Sequence, residues 1–258
     1  MLTLTVLGSG TSIPSPRRAP AHLVQAGETT VLLDCGSGCE TGLFLAGVTL
    51  DRLDAVLLTH LHPDHTAGLL PLLFALVNPL HPRRGRELPI RGPEGTAAHL
   101  AALEVAHGRY VRPSCGVSTE ELTPPRRIDI GPLRVSAFAV DHSAASLAFR
   151  LEHGGAVLCY SGDSGPCDTL VEAARGADLF LCECAALEGE AQQGHLTPSQ
   201  VGAIARAAGC ARVVLTHLYP HVERADPLPG VRGEFPGPVE LAGDGRRFEV
   251  RTKTGRRG

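Results

Sequence analysis

Short apolar runs broken by Gly, Pro and Ser alternate along this chain with longer amphipathic stretches. The runs have the length and punctuation of strands, and the longer stretches carry helical periodicity. Strands are predicted at residues 2–7, 22–26 and 30–34, a helix near 40–46, and a buried parallel strand at 54–58 (DAVLL). A helix follows over 67–77 despite Pro71, then a short strand (LPIRG, 88–92) and a helix over 95–107. The middle is β-rich, with strands at 127–130, 133–140, 146–152 and 157–160. Beyond it come a helix at 167–174, a strand at 178–182, a helix at 198–208 with Thr197 as its N-cap, and strands at 212–215 and 246–251. Each half is β-rich first and helical second. The pattern therefore predicts an α/β fold of two face-to-face sheets with helices outside, as one domain over residues 1–258.

The strand at 54–58 runs into LTHLHPDHTAGL, where His60, His62, Asp64 and His65 crowd a strand-to-helix loop. Ligand sites in α/β sheets lie beyond the carboxyl ends of the strands, so these side chains are placed to converge. Imidazole and carboxylate are ligands of zinc and similar cations, and one tetrahedral ion needs three or four of them. His60 and His62 can reach one ion, Asp64 and His65 a second. Two ions need further donors, and three more follow apolar strands: His142 after 133–140, Asp163 in SGDSG after Tyr160, and His217 after 212–215. Each alone reads as a turn residue. Together they point to one centre.

Composition narrows the partners. A net charge of -3 and 43% hydrophobic residues describe a globular chain whose electrostatics do not favour nucleic acid or membrane. The basic runs HPRRGR (81–86), Arg126-Arg127 and Arg246-Arg247 read as solvated loops, and His22, His81, His99, His107, His153 and His221 as surface or packing residues. With no secretory leader pattern and no long apolar run, a soluble cytoplasmic protein is expected. The eight cysteines form no C-x-x-C pair and read as reduced, mostly buried thiols.

The ordered set THLHPDH, His142, SGDS and LTHL resembles the metal motifs of the metallo-β-lactamase-fold hydrolases. LGSGTSIPSPRR, LLDCGSG and GHLTPSQVGAIARAAGCARVVLTH are similar to the ribonuclease Z-like phosphodiesterase branch. A glutamate at position 62 would resemble a di-iron oxygen reductase, and a cysteine in place of Asp163 the true β-lactamases; this chain has neither. The resemblance implies a four-layer αββα sandwich of the metallo-β-lactamase type. It implies that His60, His62 and His142 hold one divalent ion, that Asp64, His65 and His217 hold another, and that Asp163 bridges them. Zinc is the first choice, with manganese or iron as alternatives.

Such ions acidify a bridging water so that hydroxide attacks phosphorus. By the same resemblance Asp64 also orients or deprotonates that water, His195 in GHLTP protonates the leaving oxygen, and Glu183 in CEC holds the His195 tautomer. The tRNA-processing members carry a basic arm, in many bacteria between the third and fourth metal motifs. Here little more than one hairpin separates His142 from Asp163, and lysines are few. The expected substrate is thus a small phosphodiester, such as a cyclic nucleotide or nucleotide derivative. A tRNA 3'-processing endonuclease is the second reading. A carboxyl or sulfate ester hydrolase, or a non-catalytic metal-binding protein, is the third. No membrane partner is expected, and relatives of this kind are often homodimers.

Overall fold

In the computed structural model, which describes residues 1–80, 84–190 and 193–252, the first half runs β1 (Leu2–Gly8), β2 (Ala21–Ala26), β3 (Thr29–Leu33), α1 (Cys39–Leu45), β4 (Ala55–Leu57), α2 (Pro63–Thr66), α3 (Leu69–Val77), β5 (Leu88–Gly92), α4 (Thr96–His107) and β6 (Val117–Glu121). The second half runs β7 (Arg126–Ile130), β8 (Leu133–Val140), β9 (Ser146–His153), β10 (Ala156–Tyr160), α5 (Asp168–Ala174), β11 (Leu179–Glu183), α6 (Pro198–Ala208), β12 (Val213–Thr216), α7 (Pro220–Arg224), α8 (Leu228–Glu234), β13 (Val239–Leu241) and β14 (Arg247–Val250). Two seven-stranded sheets result, ordered β14-β1-β2-β3-β4-β5-β6 and β13-β12-β11-β10-β9-β8-β7. In each, antiparallel hairpins give way to parallel strands: β3 to β6 in the first, β10 to β13 in the second. Parallel neighbours need crossovers, which is where the helices enter.

Strand alternation decides the layers. Val31 and Leu33 of β3, Leu158 and Tyr160 of β10, and Leu179 and Leu181 of β11 join one core between the sheets. Their neighbours Leu32 and Val56 face α1 and α3. Cys159, Phe180 and Leu215 face α5 and α6. Three separate cores make a four-layer αββα sandwich. The parallel strands β3, β4, β10, β11 and β12 and the antiparallel strand β8 carry most of the polar residues of interest at their carboxyl ends, so the fold brings two sets of loops to one rim.

The structure departs from the sequence reading in several places. Residues 63–66 form a helical turn inside the expected loop, with Pro63 at its first position, where a missing N–H costs nothing. Asp64 and His65 are therefore held by helix, not loop. The polar edge strand β6 and the three-residue β13 lack apolar alternation, and the short helices α7 and α8 lack a helical period long enough to read. Thr197 does cap α6, in a capping box with Gln200.

Arg84, read as part of a solvated basic run, is buried: its guanidinium donates to the carbonyls of Asp51, Leu53 and Glu87, tying the loop before β4 to the loop before β5. His81 to Arg83 lie outside the described residues. Arg86, Arg126 and Arg246 sit at the surface, paired with Asp54, Glu120 and Glu240. All eight cysteines are free thiols, six of them buried. Among the described residues no helix is long and apolar enough to cross a membrane.

Candidate metal centre

The strand ends deliver the side chains. His60 follows β4, His142 follows β8, Asp163 follows β10 and His217 follows β12, while Asp64 and His65 lie on α2. Gly162 makes the turn into Asp163 with φ 58°, and a Cβ there would lie 2.8 Å from both the Leu147 carbonyl oxygen and the Thr59 Cβ. Only glycine fits such a turn.

Donor atoms of His60, His62, His142 and Asp163 lie within 4.8 Å of one another, as do those of Asp64, His65 and His217. Asp163 stands between the groups. Its Oδ2 is 3.7 Å from His60 Nε2, 3.7 Å from His142 Nε2 and 3.3 Å from His217 Nε2, and its Oδ1 is 3.3 Å from His65 Nε2. His62 Nδ1 is 3.1 Å from His142 Nε2, and Asp64 Oδ2 is 3.3 Å from His217 Nε2.

Hydrogen bonds behind the cluster fix which nitrogen faces it. His142 Nδ1 donates to the Gly194 carbonyl at 2.8 Å, leaving Nε2 with its lone pair. His65 Nδ1 donates to Asp34 Oδ2 at 2.8 Å. His60 Nδ1 donates to the Thr59 hydroxyl, which itself donates to Asp34. The fully buried Asp34 carboxylate also accepts from the Thr59 amide and, at 2.7 Å, from the Tyr160 hydroxyl. Asp34 thus orients one histidine of each group. The sequence reading quoted Asp34 in LLDCGSG without giving it a role. Its signal was the one shared by the cluster residues, an acid directly after an apolar strand.

The cluster suits a divalent cation by its own chemistry. His60 Nε2, His65 Nε2 and Asp163 Oδ1 are buried without a hydrogen-bond partner among the described residues, and each such atom costs about 1–3 kcal/mol if left unsatisfied. Burial, followed by the neighbouring His65, holds the His60 imidazole down to about 3, and burial lowers His142, so both are neutral donors at pH 7. Asp163 is held well below the usual carboxylate range despite its burial, by His217, His65 and His60. Asp64 is likewise down to about 2 against its burial, through His217 and His65. Burial opposes a proton on His65, but Asp163 and Asp34 raise it well above the ordinary value. A cation would take the place of that proton, so metal uptake releases it.

His195 and Glu183 sit at the edge of this cluster. His195 Nδ1 donates to Glu183 Oε1 at 2.8 Å, and one His195 ring nitrogen lies within 4.8 Å of donor atoms of Asp163 and His217. Glu183 is fully buried and accepts from the amides of Ser164, Ala185 and Leu196, so its carboxylate is fixed and does not itself reach the cluster. Burial opposes a charge on His195, yet the Glu183 hydrogen bond and charge raise it above its ordinary value. None of His22, His99, His107, His153 or His221 joins the grouped donors; His81 is outside the described residues.

Two tests follow from the buried supports. Asp34→Ala is expected to weaken metal binding about 10- to 100-fold, because two donors lose their orientation; a chelator competition titration reads this, and unchanged affinity would remove Asp34 from the support. His22 packs edge-on to Tyr160 and is buried with both ring nitrogens unpartnered among the described residues. Burial depresses it from 6.5 to about 3, so the unfolded chain alone takes up this proton as pH falls through that window. Stability is therefore lost on the acid side, by about 1.4 kcal/mol per pH unit from this group. His22→Phe is expected to remove that slope in denaturant titrations between these pH values, and identical slopes in the two proteins would refute it.

Residues 29–218 match a family described as the beta-lactamase superfamily domain. The chain is 33% identical over 276 aligned residues to a ribonuclease Z of Mycobacterium sp. (strain KMS), covering 97% of this chain and 96% of that protein. Its fold is similar to that of the metallo-β-lactamase fold protein YhfI from Bacillus subtilis, with TM-score 0.85 and 26% identity over 96% of this chain and 100% of that one. The short form of human tRNase Z shares the fold, with TM-score 0.79 and 24% identity over 96% and 99% of the two chains.

Proposed function

The chain belongs to the β-lactamase superfamily and is a metal-dependent hydrolase of it, and on that premise we propose that it cleaves small phosphodiesters at a centre of two divalent cations. The observation that carries this reading is the division of seven donor side chains into two groups with Asp163 between them. One tetrahedral ion has no use for seven. His60, His62 and His142 would hold one cation, Asp64, His65 and His217 the other, with Asp163 shared and zinc the first candidate. Bound cations would polarise a phosphoryl oxygen and make water acidic enough to attack at pH 7.

The chain's own residues supply the proton transfers. Asp64 is only partly buried and ionised, so it can orient the attacking water and take its proton. His195, raised by Glu183, can carry the proton that the leaving oxygen needs. Glu183 is a positioning residue, which keeps Nδ1 of His195 as the donor toward itself and turns the rest of the ring to the cluster.

The chain between His142 and Asp163 supports the choice of a small substrate. It consists of β9, a turn at Gly154-Gly155 and β10, with no room for a protruding arm. Several arginines are also matched by carboxylates, as in the half-buried Arg17 with Glu223 and Arg91 with Glu120 and the exposed Arg206 with Glu234. Paired arginines make a poor track for a polyanion. The second reading, tRNA 3'-end cleavage, is favoured by the 33% identity to a ribonuclease Z over nearly the whole chain.

Salt separates the two. Activity of the metal-replete protein on bis-p-nitrophenyl phosphate is expected to change little with ionic strength. An enzyme tracking several tRNA phosphates would lose affinity with a log-log slope of about -0.7 to -0.9 per contact. Accurate cleavage of a precursor tRNA at low enzyme concentration, with that steep slope, would replace the first reading by the second. Faster turnover of sulfate esters or lactones in the same panel would move the assignment to another ester class.

A further inference from the structure

Beside the metal cluster, a cavity of about 470 Å³ opens against the ring of His195. Asp141, Glu190, Gln193 and Gln200 contribute to its wall, together with Gly194, whose carbonyl holds His142. Among the described residues no arginine or lysine lines it. Glu190 is anchored, its Oε2 accepting from the Leu187 amide at 2.8 Å and lying 3.3 Å from His221 Nε2. His221 is thus the basic side chain set against Glu190, while His195, held to Glu183, lies in the wall itself. Asp141, which directly precedes His142, adds a second carboxylate to the wall.

We infer that this cavity is the leaving-group subsite and that it selects an alcohol bearing no phosphate or carboxylate of its own, hydrogen-bonding and neutral or cationic. The inference rests on the assignment of His195 as the proton donor. In the step it serves, water adds to phosphorus and gives a proton to Asp64. The P–O bond to the leaving group breaks, and its oxygen takes the proton from His195, so a phosphomonoester and an alcohol result. The group attached to that oxygen has to lie on the His195 side, where the cavity is. Its amides can donate hydrogen bonds to hydroxyls or a nucleobase, and its amides and carboxylates can accept them, whereas an anionic group would meet Asp141 and Glu190 where the imidazoles at hand, His195 and His221, are already matched by Glu183 and Glu190. A polynucleotide leaving strand carries a phosphate at every residue, so its entry is disfavoured at this wall.

Three methyl aryl phosphodiesters test the inference, because the aryl oxide leaves from each and only its remote charge differs: 4-trimethylammoniophenyl, 4-acetamidophenyl and 4-carboxyphenyl methyl phosphate. After division by each ester's rate with hydroxide alone, kcat/KM of the metal-replete protein is expected to fall in that order. A span on the order of tenfold fits two partly solvated charges near the group. Asp141→Asn with Glu190→Gln is expected to compress the span to about threefold or less at unchanged metal content, and Asp141→Asn alone to compress it partway. A wild-type protein blind to the remote charge, one that prefers the carboxylate, or a span untouched by both variants overturns the subsite. Hydrolysis of none of the three esters by protein that turns over a lactone or sulfate ester overturns the phosphodiester reading itself.

Discussion

Asp163→Ala is expected to lower phosphodiesterase activity by about 10³-fold or more, a loss of at least about 4 kcal/mol of transition-state stabilisation. The side chain is 3.3 to 3.7 Å from nitrogen atoms of four histidines, two in each donor group. Removing its charge leaves Asp64, beside His217 and His65, as the anionic donor of the cluster and none beside His60 and His142. Metal content should fall with activity, from near two ions per chain toward one or fewer, by elemental analysis after zinc loading. Asp163→Asn keeps the volume and removes only the charge, so a similar loss there assigns the effect to electrostatics and not to a cavity. Thermal stability adds an independent readout. Ligands that bind only the folded chain stabilise it by about 2.7 kcal/mol at 100 times Kd, so a chelator should lower Tm in the wild type and much less in the variant. Full occupancy with Ala at position 163 would remove the residue from the centre.

The second large effect is expected from His195→Ala, and it should depend on the substrate. A positioned general acid contributes about 10²- to 10⁴-fold when the leaving group is a poor alkoxide, and little when a nitrophenolate can leave without a proton. The variant should therefore lose activity steeply on an alkyl diester and by less than about tenfold on bis-p-nitrophenyl phosphate. One ring nitrogen of His195 lies within 4.8 Å of donor atoms of Asp163 and His217, so metal content has to be measured alongside. Both ions retained with unequal rate losses supports the acid. Equal losses, or a missing ion, would make His195 a ligand or a structural residue. Glu183→Gln should reproduce a weaker form of the same substrate split, because the glutamine can still accept from Nδ1 but no longer holds charge on the ring.

The layers of the fold and the members of the donor cluster were legible in the chain because both follow local rules. Alternation within strands such as Val31, Leu32 and Leu33 assigns successive residues to opposite faces, and this alone separates the inter-sheet core from the helix-facing cores. His60, His142, Asp163 and His217 each follow an apolar strand, and the fold gathers the ends of those strands at one rim. The short polar strand β6, the three-residue β13 and the helices α7 and α8 left no such pattern, since edge positions and short crossovers bury too little to need one.

What only the tertiary structure decided are the pairings between distant residues. Asp34 meets Thr59, His65 and Tyr160, the last of them 126 positions away in the chain, and nothing near Asp34 in sequence announces those partners. Arg84 looked like one charge of a solvated basic run until three carbonyls of two loops closed on it. The wall that joins Asp141 and Glu190 beside His195 likewise exists only once two loops are side by side. A residue's face on a strand is set by covalent geometry and can be read locally. Its hydrogen-bond partner and its local dielectric are set by which segments the folded layers bring together, and the sequence carries them only through the fold.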